Sequence, residues 1–166
     1  MSISFKQAEL SELSTLMRFM QEFHEFDHAE PIDDVPTKRV MEKVVSDERA
    51  GLVWLIKSSG EDVGYIVLTL HYRLESRDAC VNLDELLVQE ENRGQGIGRR
   101  AMELLEAACQ DLGVVAMQLK VKKDNSEAAS LYEKVGFEIL DREFMFKDIA
   151  TKQAHAVGSA NRYALC

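Results

Sequence analysis

A mixed α/β fold is predicted for this 166-residue chain by three observations. Strand-like runs alternate with stretches of helical spacing. The first strong pair of runs is joined by the short turn Ser58-Ser59-Gly60, and a glycine-rich turn leads from a strand directly into an amphipathic helix.

Residues 2–7 alternate as a short first strand does. From Ser11 the spacing becomes helical, with Leu13, Met17, Met20 and His24 on one face and Leu10, Leu16 and Phe23 beside it. Two prolines and two aspartates mark 30–36 as a loop, and a short helix follows over 37–46. Strands are expected over 52–56, 63–70 and 79–88. The clearest helix begins after the glycine-rich turn: Ile97, Ala101, Leu104, Leu105, Ala108 and Leu112 form one apolar stripe, ended by Gly113. A buried strand over 114–121, a short helix over 126–135 closed by Gly136, and one or two last strands over 137–147 complete the pattern. After Ile149 the composition turns small and polar, so 1–149 reads as one domain and 150–166 as an appended tail.

Hydrophobic residues make up 46% of the chain and charged residues 30%, the balance of a soluble globular protein able to bury its own core. Cys80, Cys109 and Cys166 form no CxxC pair and read as the reduced thiols of a cytoplasmic protein. The N-terminus lacks the pattern of a signal peptide, and no apolar run is long enough to span a bilayer. A net charge of −9 argues against nucleic acid or an anionic membrane as a partner.

The strongest chemical signal is Arg93-Gly94-Gln95-Gly96-Ile97-Gly98-Arg99-Arg100, set between strand and helix. Glycines let a backbone approach a ligand, and a helix start offers unpaired N–H groups and a positive dipole end. Together they make a phosphate cradle, to which three arginines add charge. A dinucleotide fingerprint needs a glycine where Arg99 stands, and a P-loop needs a lysine that this turn lacks.

What the turn does fit is R-x-x-G-x-G, through Arg93, Gly96 and Gly98. Here the sequence resembles the GCN5-related N-acetyltransferase (GNAT) superfamily. Upstream, Leu83-Asp84-Glu85-Leu86-Leu87-Val88 is similar to that family's fourth strand. Downstream, the run from Asn125 to Phe137 fits its second motif, N-x-x-A-x-x-L-Y-x-x-x-G-F. The resemblance implies a central, mostly antiparallel sheet splayed between its fourth and fifth strands, flanked by about four helices. It implies acetyl-CoA as cosubstrate, with transfer of the acetyl group to a primary amine.

The same resemblance assigns roles. Backbone groups of Leu86, Leu87 and Val88 would meet the pantetheine arm as an added strand, and the N–H groups from Arg93 through Gly94, Gln95, Gly96, Ile97 and Gly98 the pyrophosphate. Arg99 sits where it can reach phosphates or stay solvated. Asn125 is similar to a side-chain contact to the cofactor arm, and also reads as a helix cap. Tyr132 matches the acid that protonates the leaving thiolate, against a core reading for an aromatic on that face. Asp84 matches a general base in some relatives, with Glu85 as the substitute should a bulge break the strand's alternation. A homodimer is common among similar proteins, while the sequence leaves the oligomeric state open.

Six acids (Glu22, Glu25, Asp27, Glu30, Asp33 and Asp34) occur over 22–34 without a lysine or arginine, a rim suited to a cationic amine or a solvated helix end. The same stretch reads His24-Glu25-Phe26-Asp27-His28, an H-E-x-x-H pattern that on a continuing helix would suit a zinc hydrolase. Pro31 follows too soon for that helix, so no metal site is expected. The remaining alternative is an acyl-CoA-binding domain without catalysis.

Overall fold

The structure, a computed structural model, describes residues 2–26, 33–73, 78–145 and 147. In chain order these form β1 (Ile3–Gln7), a 3₁₀ turn (Leu10–Glu12), α1 (Leu13–Phe26), α2 (Asp34–Ser46), β2 (Gly51–Ser58), β3 (Glu61–Arg73) and β4 (Asp78–Val88). A second 3₁₀ turn (Glu90–Asn92) then leads to α3 (Ile97–Asp111), β5 (Ala116–Leu119) and α4 (Ser126–Lys134). The strands make one sheet in the order β1-β2-β3-β4-β5. Neighbours are antiparallel except β4 and β5, whose parallel pairing requires the helical crossover that α3 supplies.

Because side chains alternate across a strand, the sheet has two apolar faces, each covered by helices. On one face Ile56, Ile66, Leu68, Val81 and Leu83 pack under Ile97, Ala101, Met102, Leu105 and Cys109 of α3, with Tyr132 and Val135 of α4 at the margin. On the other, Val53, Leu55, Tyr65, Val67 and Leu87 meet Leu16 and Phe19 of α1 and Met41 of α2. Phe19 stacks on Tyr65 with ring centroids 5.9 Å apart.

One irregularity shapes everything downstream. Val67 pairs with Glu85, and Leu68 with Leu83, which leaves Asp84 as an extra residue bulging from β4. At the same place β4 loses its other neighbour: pairing with β5 runs only from Cys80 to Leu83. From Asp84 to Val88 the strand is held by β3 alone, so the sheet opens between its fourth and fifth strands, as expected.

The structure departs from expectation in four elements. Pro36 lies inside α2, not in a loop, because a proline in the first helical turn removes an N–H that has no intrahelical partner. The buried face of α1 centres on Leu16, Phe19 and His24, while Leu13, Met17 and Met20 flank it. In α3, Met102 and Cys109 are buried and Leu112 is exposed, so the stripe is rotated toward its neighbours. Residues 137–145 form no strand: apolar pattern alone cannot make one without a partner ladder, and Ile139, Leu140, Phe144 and Met145 are exposed. Residues 150–166 lie outside the described residues, as does Cys166; Cys80 and Cys109 are buried free thiols. Among the described residues no helix is long and apolar enough to cross a membrane.

Leu105 is fully buried at the centre of the α3 face. Leu105→Ala should lower the unfolding free energy by about 2–5 kcal/mol, read from urea unfolding with an unchanged m-value.

Candidate active site

The opening in the sheet and the start of α3 lie at the same end of β4. Its unpaired edge can be assigned group by group. Gln89 N–H bonds Val63 O on β3 at 2.9 Å, and in an antiparallel ladder alternate residues face the same neighbour. Leu87 therefore turns its backbone to β3, and Leu86 and Val88 turn theirs to the open side. This corrects the expectation for Leu87, which contributes a buried side chain to the α1 face instead. Arg93 Nε donates to Val88 O at 2.8 Å, leaving Leu86 N–H, Leu86 C=O and Val88 N–H without a partner strand on the edge.

The glycine-rich turn follows. Gly96 caps α3 with φ 77° and Gly94 has φ 72°, and a Cβ built on either meets nothing within 4 Å. Their backbones border open space. Among the described residues, the N–H groups of 94–99 donate to no backbone or side-chain acceptor outside the helix. Arg93 does not belong to that set, because its N–H bonds Glu90 O at 3.1 Å. Its guanidinium lies over the Phe26 ring at 4.4 Å, so Arg93 fastens the turn to β4 and α1. Gly98 has another role: a Cβ there would stand 2.9 Å from Leu131 Cδ2, and the glycine lets α3 and α4 touch. Arg99 is exposed and pairs with Glu103 at 3.3 Å one turn on, the solvated reading. Gln95 is exposed and donates its side-chain amide to Glu91 O at 3.3 Å, and the buried Ile97 anchors the helix start.

At the bulge, two consecutive carboxylates point to the same face. Asp84 accepts from the Thr69 hydroxyl, and Glu85 from Tyr65 on the same face of β3. Loss of solvent around the Asp84 carboxyl raises it above the ordinary aspartate range; the Thr69 hydrogen bond works against this, and the charge of Glu85 adds to it. Asp84 remains exposed as a residue, whereas Glu85 is buried. Burial, then the neighbouring Glu85, push the Tyr65 phenol well above its usual range, so it serves as a donor. The second oxygen of Glu85 faces His24 Nε2 at 3.8 Å. His24 is 3% exposed, and neither ring nitrogen has a hydrogen-bond partner among the described residues.

That placement bears on the H-E-x-x-H pattern. His24 turns inward toward Glu85, Glu25 is exposed and receives the Gln21 amide at 3.1 Å, and His28 lies outside the described residues. Of the acidic rim, Glu22 accepts from Gln89 at 3.0 Å and ties α1 to the end of β4, and Asp33 caps α2 through Val35 N–H at 3.2 Å. Asp27, Glu30 and the side chain of Asp34 are outside the described residues.

Asn125 caps α4 by accepting from Ala128 N–H at 3.1 Å, and its amide NH₂ is left to donate elsewhere. Tyr132, on the α3 face, packs edge-on to Phe137 at 5.7 Å. Burial pushes its phenol up to about 12, and its hydroxyl bonds no described residue. Sequence reasoning missed Tyr65, Thr69, Asn82 and Gln118. The signal present was Thr69 and Asn82 at polar positions of otherwise apolar strands, but register alone brings them together.

A splayed sheet, a free helix start and this bulge together form a recognisable frame, and residues 14–137 match the model of the Acetyltransferase (GNAT) family. The chain belongs to that family. An uncharacterised N-acetyltransferase of Bacillus subtilis, YobR, is 38% identical over 60 residues, covering 36% of this chain and 24% of its own length. A mycothiol acetyltransferase of Jonesia denitrificans is 27% identical over 117 residues, 70% of this chain and 36% of that protein. The chain thus spans only about a quarter to a third of these curated relatives. An integron cassette protein, HFX_CASS3, from the mobile metagenome of Cole Harbour Salt Marsh superposes with a TM-score of 0.79 at 27% identity, covering 89% of this chain and 91% of the other.

The glycine turn makes a direct test of ligand approach. Gly96→Val forces a branched side chain to positive φ, at a cost of roughly 1–2 kcal/mol, and fills the space beside the free N–H groups. Calorimetry should show coenzyme A affinity reduced by at least about tenfold, equivalent to ~1.4 kcal/mol, in a variant that still unfolds cooperatively.

Proposed function

We propose that this protein transfers the acetyl group of acetyl-CoA directly to a primary amine, with residues 1–149 as the catalytic domain and 150–166 as an appended tail. The observation that carries the reading is the continuity of one open edge. Backbone groups of Leu86 and Val88 lead along β4 to the free N–H groups of Gly94 to Arg99, and the bulged Asp84 stands at the other end. A pantetheine arm fits the first as an added strand, and a pyrophosphate fits the second at the helix start. Asn125 adds a side-chain donor on the far side of the opening.

Asp84 is the base in this scheme. It is exposed, one of its oxygens is already filled by Thr69, and loss of solvent raises its proton affinity above that of an ordinary aspartate. It takes one proton from the acceptor ammonium, and the nitrogen lone pair then attacks the thioester carbonyl carbon. Leu86 N–H faces the side where the carbonyl oxygen gains charge and stabilises it. As the C–S bond breaks, the Tyr132 hydroxyl gives its proton to the departing sulfur, and the second proton of the acetylated nitrogen passes through solvent to the tyrosinate and restores the phenol. A phenol held near 12 is protonated throughout the neutral range before the step. Glu85 and Glu22 supply negative charge on the α1 side and favour a cationic acceptor.

An acetyl-CoA turnover screen across amine classes, with thiol release as the signal, tests the reading. Coenzyme A binding without turnover on any amine would mean a binding domain instead. With the best acceptor, Tyr132→Phe should lower kcat by roughly 10²–10⁴-fold. Its thermal midpoint should be unchanged, because the ring that packs on Phe137 is kept. Asp84→Asn should lower kcat/KM for the amine on a similar scale, roughly 10²–10⁴-fold, and abolish the ascending limb of the pH profile.

A further inference from the structure

One row of polar side chains crosses the sheet one rung short of the last before it opens. Thr69 of β3 is paired with Asn82 of β4, and Asn82 with Gln118 of β5. Their side chains are joined in sequence: Gln118 Nε2 donates to Asn82 Oδ1 at 2.6 Å, and Asn82 Nδ2 donates to Thr69 Oγ1 at 3.5 Å. The Thr69 hydroxyl then donates to Asp84 Oδ2.

Every link runs the same way. With Gln118 on its oxygen, Asn82 is left to present its NH₂ to Thr69. A hydroxyl has one proton, so a threonine that receives a donor is left to give its own to the carboxylate. The row therefore ends in a donor that suits ionised Asp84. It also fixes which oxygen stays open: Oδ2 is filled from the β3 side, and Oδ1 is left for an incoming group.

We infer that Thr69 is a positioning residue for the reaction, the last member of a three-strand donor row (Gln118, Asn82, Thr69) that orients Asp84 toward the acceptor amine. This rests on the acetyl-transfer reading with Asp84 as base. The proton taken from the ammonium goes to Oδ1, and the Thr69 bond to Oδ2 persists through the step. The row is anchored where β5 still pairs, so the carboxylate is referenced to both sides of the opening and not to the bulge alone. The charged and titratable groups that bear on Asp84 besides this row are Glu85 of β4, His71 of β3 and Lys120 just beyond β5.

The test compares wild type with Thr69→Val, which keeps the β-branched shape without the hydroxyl, and with Thr69→Ser, which restores it. Removing the donor favours protonated Asp84, so the ascending limb of kcat/KM for the amine should move to higher pH by about one unit in Thr69→Val. At neutral pH kcat/KM should fall about tenfold or more, with KM for acetyl-CoA unchanged. Thr69→Ser should return the limb to its wild-type position. A merely structural threonine would lower the whole profile without moving the limb, and that result, or a serine variant no better than valine, overturns the inference. Should Thr69→Val fail to fold, Thr69→Ala takes its place against the same serine control. Should the wild type acetylate no amine, the functional reading fails first. The row is then judged by ¹³C NMR titration of the Asp84 carboxyl in wild type and variant, where an upward move of about one unit supports it and a coincident titration refutes it.

Discussion

The bulge at Asp84 is the constraint on which the site depends. An extra residue in one strand of an antiparallel pair increases twist and ends regular pairing nearby, and here it coincides with the loss of β5 as a neighbour. Without it, alternation would send Asp84 and Glu85 to opposite faces, and Leu86 would not present its backbone to the opening. With it, two acids share a face, and a length of β4 is left with polar groups that only a ligand or water can satisfy. The rest of the molecule holds that arrangement still. From Gly64 to Thr69 β3 is paired on both sides, and α1 and α3 clamp the two faces of the sheet.

The two carboxylates differ because their surroundings differ. Asp84 faces outward with one hydrogen bond from the half-buried Thr69, whereas Glu85 is enclosed by Tyr65, His24 and the core under α1. The charge of Glu85 adds to the rise at Asp84, so the enclosed acid tunes the accessible one. A buried histidine with no hydrogen-bond partner among the described residues, beside an enclosed carboxylate, is a costly feature for stability alone.

Local chemistry in the sequence located most of the frame. Arg93, Gly96 and Gly98 marked the turn that leads into α3, the apolar spacing from Ile97 marked that helix, and Asn125 was readable as the cap of α4. What stayed hidden was set by pairing between distant segments. The bulge could be named only as a condition for Glu85: it is a register shift opposite Val67 and Leu68 of β3, and β4 by itself does not show where it falls. The same holds for Thr69, Asn82 and Gln118, three ordinary polar residues until register aligns them. Helix faces were displaced where packing partners lay to one side: Phe19 of α1 gains its place from the Tyr65 ring, which no count along α1 reveals. The reading of 137–147 as strand failed for the complementary reason, since an apolar alternation needs a partner edge that the described residues do not supply.

Arg93 closes the open edge of β4 at one end by covering Val88 O, and the outward acid Asp84 guards the other. Between them runs a stretch of unpaired backbone only a few residues long. Exposed strand edges invite pairing with another chain, and short length, a bulge and inward or flanking charge are the usual defences. This protein has all three beside the opening in its sheet. A cosubstrate laid along that edge, as the acetyl-transfer reading has it, would take the place that a foreign strand could otherwise occupy.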